Sequence, residues 1–436
     1  MKTTALFLGT AFAGTALVGC TSEKKCDPTV PNTICTIAGS SLNEGNAGDG
    51  GLATDATLYI TMDSTIAPNG DVWFIDFNNY LVRQIDEKGI ITTVIGNSLL
   101  GDSPASDGLT QIPALQASNN HTTELVFGPD GNLYLAAWHE SRVKMVDMSS
   151  MMMELYAGAG TRTFYTGDGG PASAAKVDLP SGISFDADGN MALMDQGNQV
   201  IRKIDTTTGT ISTIAGQCIV EVEDCATFAP TACPNSDKLV CLDPNNVNEV
   251  LATECANACS GGYAGDNGPA LQARFNEPYG QAADPSGRLA YDHNGALILT
   301  DTANNALRKI DTNGIITTIA GGNCTASGCM PGYSGDGGPA TQAMINHPED
   351  IAIAADNSIY FADTYNSCIR KIDPSGNIST AAGQCSSDPS VADFAGDGGP
   401  PLEAKLNRPY GIDLEGNKLY ISDSYNNRLR VVNLPD

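Results

Sequence analysis

Apolar and polar positions alternate over short runs through most of this chain, with a period of two. In one stretch Asp350 to Ala354 alternates, a turn follows at Asp356-Asn357, and Ser358 to Ala362 is apolar and aromatic. Cys368 to Ile372 and Ile378 to Ala382 complete the set. Runs of this length and period predict β-strands, four to a unit. Turns between the first two strands of other units carry Asn69-Gly70, Asp130-Gly131, Asp188-Gly189, Asn294-Gly295 and Gly416-Asn417. These residues tolerate the positive φ of tight hairpins. Helical periodicity is scarce beyond the first residues.

The unit repeats. Its clearest copy begins Ser334-Gly335-Asp336-Gly337-Gly338-Pro339-Ala340, runs through His347-Pro348 and Asp363-Thr364-Tyr365-Asn366, and closes with Ile378-Ser379-Thr380-Ala381-Ala382-Gly383. The Gly-Asp-Gly-Gly aspartate recurs at Asp49, Asp168 and Asp397, as Gly-Asp-Asn-Gly at Asp266, and eroded at Asp102. A basic residue falls at Arg83, Lys144, Arg202, Arg308, Arg370 and Arg430, a period of about 60 residues with one longer interval. Six four-stranded copies predict an all-β fold, a six-bladed β-propeller. The last copy stops before its fourth strand, and that strand's sequence stands at Thr33-Ile34-Cys35-Thr36-Ile37-Ala38-Gly39. An N-terminal strand completing the last blade closes the ring and removes an exposed edge.

The openings Pro180-Ser181-Gly182-Ile183, Pro278-Tyr279-Gly280 and Pro409-Tyr410-Gly411-Ile412, the Asp-x-x-Asn turns and the Thr-Ile-Ala-Gly closers resemble NHL repeats of the variety with a Gly-Asp-Gly-Gly-Pro-Ala lead-in. The resemblance covers about Thr33 to Asn433 except one insertion. It implies the propeller fold, and it leaves function open because such propellers serve both as binding platforms and as enzymes.

Met1-Lys2 and the apolar run Ala5 to Val18 read as a secretory signal, too short to span a bilayer. Leu17-Val18-Gly19-Cys20 looks like a bacterial lipobox with Cys20 the lipidated residue, and Thr21 favours the outer membrane by resemblance to sorted lipoproteins. The expected organisation is a signal over 1-19, a tether over 20-31 and a propeller over 32-436 with a cysteine-rich insertion at about 217-263. Removing Cys20 from thirteen cysteines leaves twelve, an even number that suits disulfides in an exported chain. Cys368 and Cys385 flank a hairpin, Cys324 and Cys329 close a small loop, and Cys26 is expected to meet Cys35. Cys218, Cys225, Cys233, Cys241, Cys255 and Cys259 share the insertion, where fifteen connectivities are open.

The net charge of -27, from 50 acidic and 23 basic residues, argues against a nucleic-acid partner. A residue present in every blade more often serves the blade than a site, so the recurring Asp, Asn and Arg are read as a capped turn with a cross-strand contact. Asp49, Asp168, Asp266, Asp336 and Asp397 could hold calcium only with help from other oxygens. His347, before a blade-opening proline, could approach the axis as a metal ligand. The four histidines, His121, His139, His293 and His347, do not share one blade position, which speaks against a three-histidine centre. Glu277, Asp350 and Asp413 lie near or in first strands and keep an axial carboxylate site in view.

Departures from the cassette carry more. Blade two replaces the turn aspartate with Ala137 and reads Trp138-His139-Glu140-Ser141-Arg142, which fits either an exposed partner contact on one rim or a repacked blade. The sequence therefore favours a monomeric, lipid-anchored module of the cell envelope that binds a protein or glycan, touches the membrane only through its anchor, and leans away from catalysis. The competing reading is a metal-dependent lyase or lactonase-type hydrolase with its centre in the axial channel.

Overall fold

A computed structural model describes residues 26–40, 43–160, 165–220, 239–240, 259–279 and 283–435. Six antiparallel sheets stand in a ring, each with four strands running outward from the axis, consecutive in sequence in all but the sixth. Blade one is Thr61–Ile66, Val72–Asp76, Leu81–Ile85 and Ile91–Ile95. Blade five repeats it as Pro348–Ile353, Ile359–Asp363, Cys368–Ile372 and Ile378–Ala382. In blade six Thr33–Ala38 pairs antiparallel with Arg428–Asn433, Thr33 opposite Asn433, so the ring closes on the N-terminal strand. Blades two and four carry a fifth, outermost strand, Gln111–Pro113 and Gly268–Pro269.

The core lies between blades. One apolar cluster fills each interface, as where Leu193 and Ile204 of blade three meet Val143 and Ala157 of blade two. Every blade thus shares both faces with neighbours, and closure leaves none half-buried.

The cassette residues hold each blade from within. After the second strand the chain makes a short 3-10 turn ending in a left-handed residue, such as Gln199 at φ 56° or Asn305 at φ 52°. The turn aspartate caps the backbone that enters its own blade: Asp301 Oδ1 accepts the N–H of Asn276 (2.9 Å) and the Asn304 amide (2.8 Å). From the third strand a fully buried arginine reaches two carboxylates. Arg308 meets Asp301 at 3.3 Å and Asp266 at 2.8 Å; Arg370 meets Asp363 at 3.5 Å and Asp336 at 2.5 Å. A guanidinium can serve both because its donors form a fixed fork.

The described cysteines pair as Cys26–Cys35, Cys218–Cys259, Cys324–Cys329 and Cys368–Cys385. Cys20, Cys225, Cys233, Cys241 and Cys255 lie outside the described residues, as does most of the insertion. Among the described residues no helix is long and apolar enough to cross a membrane.

Blade four departs from the sequence reading. Its inner strand is Leu289–Tyr291, not a run opening at Pro278-Tyr279-Gly280. Asn276 makes the same bond to Asp301 that Asn346 makes to Asp363, so Glu277 takes the place of His347. The chain returns to the inner position only at Ser286 to Arg288, and the intervening segment brings Ala283-Asp284-Pro285 over the axis.

Candidate functional site

The inner strands are entered through residues held at positive φ: Ile60 at 61°, His121 at 53°, Leu179 at 52°, His347 at 55° and Arg408 at 46°. Such a backbone is uncommon for non-glycine residues. It persists here because the previous blade's turn grips it. The Ile60 N–H donates to Asn427 Oδ1 (2.8 Å), that of His347 to Asn305 Oδ1 (3.0 Å), and that of Glu277 to Gln199 Oε1 (2.8 Å). These entry residues stand around one mouth of the axis.

Below the mouth, equivalent positions of the inner strands carry Asp63, Glu124, Gly182, Arg288, Asp350 and Gly411. The four charged side chains are buried. Each carboxylate reaches the next blade: Asp63 accepts the Leu125 N–H (3.0 Å), Glu124 that of Ile183, and Asp350 that of Ile412 (2.7 Å). Arg288 crosses the axis to the Thr123 carbonyl (2.5 Å) and to Glu124 (3.5 Å). The two glycines make room, since a Cβ on Gly411 would stand 2.3 Å from the Met62 carbonyl oxygen. Burial pushes the Glu124 carboxyl up to about 8 against the pull of Arg288, and burial likewise raises Asp63 and Asp350. Three carboxyl groups thus share one guanidinium, and burial shifts each of them toward its protonated form. This ring plugs the axis.

Above the plug is a cavity of about 250 Å³. Ile60, Met62 and Phe77 of blade one, His121, Trp138 and His139 of blade two, Tyr410 and Tyr425 of blade six and the Ala283–Pro285 segment line it. The segment is tied across the axis. Gln196 donates to the carbonyls of Pro278 (2.5 Å) and Asp284 (2.9 Å), Trp138 Nε1–H donates to Gln196 Oε1 (2.8 Å), and the Tyr365 hydroxyl donates to Asp284 Oδ2 (2.7 Å). Beyond Asp284, His347 stacks on Tyr365 at 4.2 Å, and the Arg408 guanidinium lies over Tyr365 and Tyr425 at 4.6 and 5.1 Å. Burial depresses His347 to about 4. Its 2.9 Å contact with Glu349, whose carboxyl burial raises, is therefore made by a neutral ring and not by an imidazolium.

The structure rearranges the residues singled out from sequence. Trp138 is only 2% exposed, so it is no rim contact; its indole edge and the His139 ring face the cavity. Glu140 and Arg142 rebuild the brace that Ala137 lacks. Buried Glu140 pairs with Lys144, the substitute for the usual arginine, and Arg142 Nε meets Asp102 at 3.0 Å. The cassette aspartates are braces: Asp49, Asp168 and Asp336 each give one oxygen to an arginine and the other to a backbone N–H, of Thr93 (3.0 Å), Thr213 (3.0 Å) and Thr380 (3.1 Å). Asp397 does the same with Arg430 and Thr36, and Asp266 divides its oxygens between Arg308 and the Tyr263 hydroxyl. Both oxygens of each thus brace the blade, and among the described residues no three His, Cys, Asp or Glu side chains converge as metal ligands. His347 does reach the axial mouth, where its stacking partner is Tyr365. Sequence reasoning missed Arg288 and Asp284, and it considered His121 only as one of four scattered histidines. The inner-strand position of His121, just before the Thr122 that begins the strand, was the available signal.

A family model for the teneurin NHL domain matches residues 35–135 and 323–393. These segments hold blade one with the start of blade two, and all of blade five with its lead-in. The chain is a six-bladed β-propeller whose repeats are similar to the NHL type over these segments. Teneurin-1 of Gallus gallus is 25% identical over 350 residues, which cover 74% of this propeller and 13% of the teneurin. The NHL propeller thus corresponds to a small part of a much longer relative. Among solved structures, a Bacteroides thetaiotaomicron protein of unknown function superposes with a TM-score of 0.58 at 16% identity, covering 92% of this chain and 75% of its own. An auxiliary nutrient binding protein from the same organism gives 0.55 at 13% identity, over 91% and 75%. At those identities the likeness is one of fold.

Proposed function

We propose that this NHL propeller is an exported, lipid-anchored binding module of the bacterial cell envelope, which holds a group of its protein or glycan partner in the axial cavity. The observation that carries this reading is the cavity itself: aromatic side chains from blades one, two and six meet there with the Asp284 carboxylate, above a closed floor of charge. A blind apolar pocket with a few convergent polar groups is the usual form of a ligand site. Aromatic rings with hydroxyl or ring-nitrogen ends suit a partner that presents both carbon surface and hydrogen-bonding groups.

The disulfides fit an oxidising compartment outside the cytoplasm, and the lipobox reading of Cys20 supplies the anchor. That nutrient binding proteins share this fold gives exported binding a precedent and nothing more specific. No observation favours the catalytic reading to the same degree.

Tyr425, 44% exposed, and Asp284 line the cavity without bracing a blade. The substitutions Tyr425→Ala and Asp284→Asn should each weaken capture on arrayed glycans or solubilised envelope proteins about tenfold or more, with thermal unfolding unchanged. Capture that survives both substitutions at full strength would place the contact elsewhere. Cys20→Ala should release the protein from the membrane fraction, and continued sedimentation with membranes would overturn the anchor.

A further inference from the structure

Two histidines that the sequence separates meet on the cavity wall. His121 Nδ1 stands 3.0 Å from His139 Nδ1 and 2.8 Å from Asn120 Oδ1. His121 Nδ1 thus lies within 3.0 Å of a second imidazole nitrogen and of an amide oxygen, three groups of metal-ligating type in one cluster. We propose that His121, His139 and the Asn120 side-chain oxygen form a site for one divalent late transition-metal ion, copper(II) or zinc, facing the axial cavity.

Geometry carries the argument. Imidazole nitrogens bind such ions at about 2.0–2.1 Å, so two nitrogens on one ion stand roughly 3 Å or slightly more apart. The rings are already fixed near that spacing. His139 stacks on Trp138 at 4.1 Å and 21°, His121 packs on Phe77 at 4.7 Å and edge-on to Tyr80 at 5.1 Å, and the two rings cross at 83°. Trp138 is in turn anchored to Gln196, and the Asn120 N–H donates to Glu140 Oε1 at 2.8 Å. The donors are thus held by a second layer of contacts, as metal ligands commonly are.

The donor set chooses the class of ion. Two imidazoles and an amide oxygen suit zinc, copper or nickel, with copper(II) tightest of the series, whereas calcium and magnesium want an all-oxygen shell. Only three donors come from the chain, and both rings line the cavity. The remaining coordination positions therefore open to whatever occupies it. The site stands apart from the cassette aspartates and does not depend on the identity of the partner.

The test uses the mature protein without a polyhistidine tag, stripped with a chelator and titrated calorimetrically with copper sulfate, zinc chloride and calcium chloride separately. One equivalent of copper and of zinc should bind, copper more tightly, with no calcium uptake, and the copper EPR spectrum should show coupling to two nitrogens. His121→Asn, which suits the positive φ, and His139→Gln should each weaken metal binding at least tenfold, while His293→Asn leaves it unchanged. Thermal unfolding of the metal-free variants identifies any that misfold, and either folded variant suffices for the comparison. Absence of stoichiometric uptake, or uptake that persists unchanged in a folded His139→Gln variant, overturns the proposal and leaves a plain histidine–histidine hydrogen bond.

Discussion

Arg288 shows how far one side chain can set the state of the axis. Its guanidinium is fully buried and lowers the pKa of Glu124, Asp63 and Asp350 against a burial cost that raises all three. Arg288→Met would leave three buried carboxyl groups without their cation, a change expected to cost about 3–5 kcal/mol. The pH dependence has a definite sign. Carboxyls whose folded pKa lies above the unfolded value favour the fold fully below about pH 4, and that contribution is lost as pH rises through the folded value. Removing Arg288 raises those folded values further, so the deficit of the variant should grow between pH 5 and 8. Urea denaturation at both pH values checks this, and a loss below about 1 kcal/mol, or one independent of pH, would mean that the ring is held by other contacts. The cassette arginines obey the same physics with two carboxylates apiece, which is why they recur while Arg288 stands alone.

At the scale of the element, each blade is four strands that must find their register with little helical or long-loop help. Hairpin turns and the arginine brace fix most of it. In blade five a covalent link adds to them, since Cys368 begins the third strand and Cys385 follows the fourth, 17 residues on. Closing a loop of this length typically stabilises by about 3 kcal/mol. The double substitution Cys368→Ser with Cys385→Ser should lower the free energy of unfolding by about that much while the remaining disulfides still form, as read by denaturant titration. An unchanged midpoint would show that the hairpin is fixed by the brace alone. Blade two makes the same point without a disulfide: Glu140, Lys144, Arg142 and Asp102 replace the usual Asp–Arg pairs, and the strand pairing is kept.

For the whole molecule the decisive contact is the ladder from Thr33–Ala38 to Arg428–Asn433. Without it blade six has three strands and exposes the edge of Arg428–Asn433, while Cys26 loses Cys35. A chain lacking residues through Gly39 should fail to give a stable monomer and should instead aggregate or exchange strands. Light scattering after gel filtration, with thermal unfolding, reads the outcome. A truncated chain that stays monomeric with an unaltered transition would show that six blades hold together without the closing strand.

The sequence by itself determined the strands, their grouping into six blades and the strand that closes the ring. These rest on local rules: turn residues at fixed offsets, a period of two, and a buried Arg that needs its Asp partners in every copy but blade two. Tertiary structure alone decided what faces the axis, because the ring brings together residues distant in sequence, such as Arg288 and Thr123, 165 positions apart. It turned the departures of blade two inward, so that Trp138 became part of a wall and Glu140 part of a brace. It also revealed the extra segment of blade four, which keeps the Pro-Tyr-Gly signature of an inner strand at Pro278-Tyr279-Gly280 yet places Asp284 over the cavity. The meeting of His121 with His139 has no sequence signal of its own. One lies at the entry to an inner strand and the other on the turn after the second, and only the curvature of the blade around the axis brings their rings into contact.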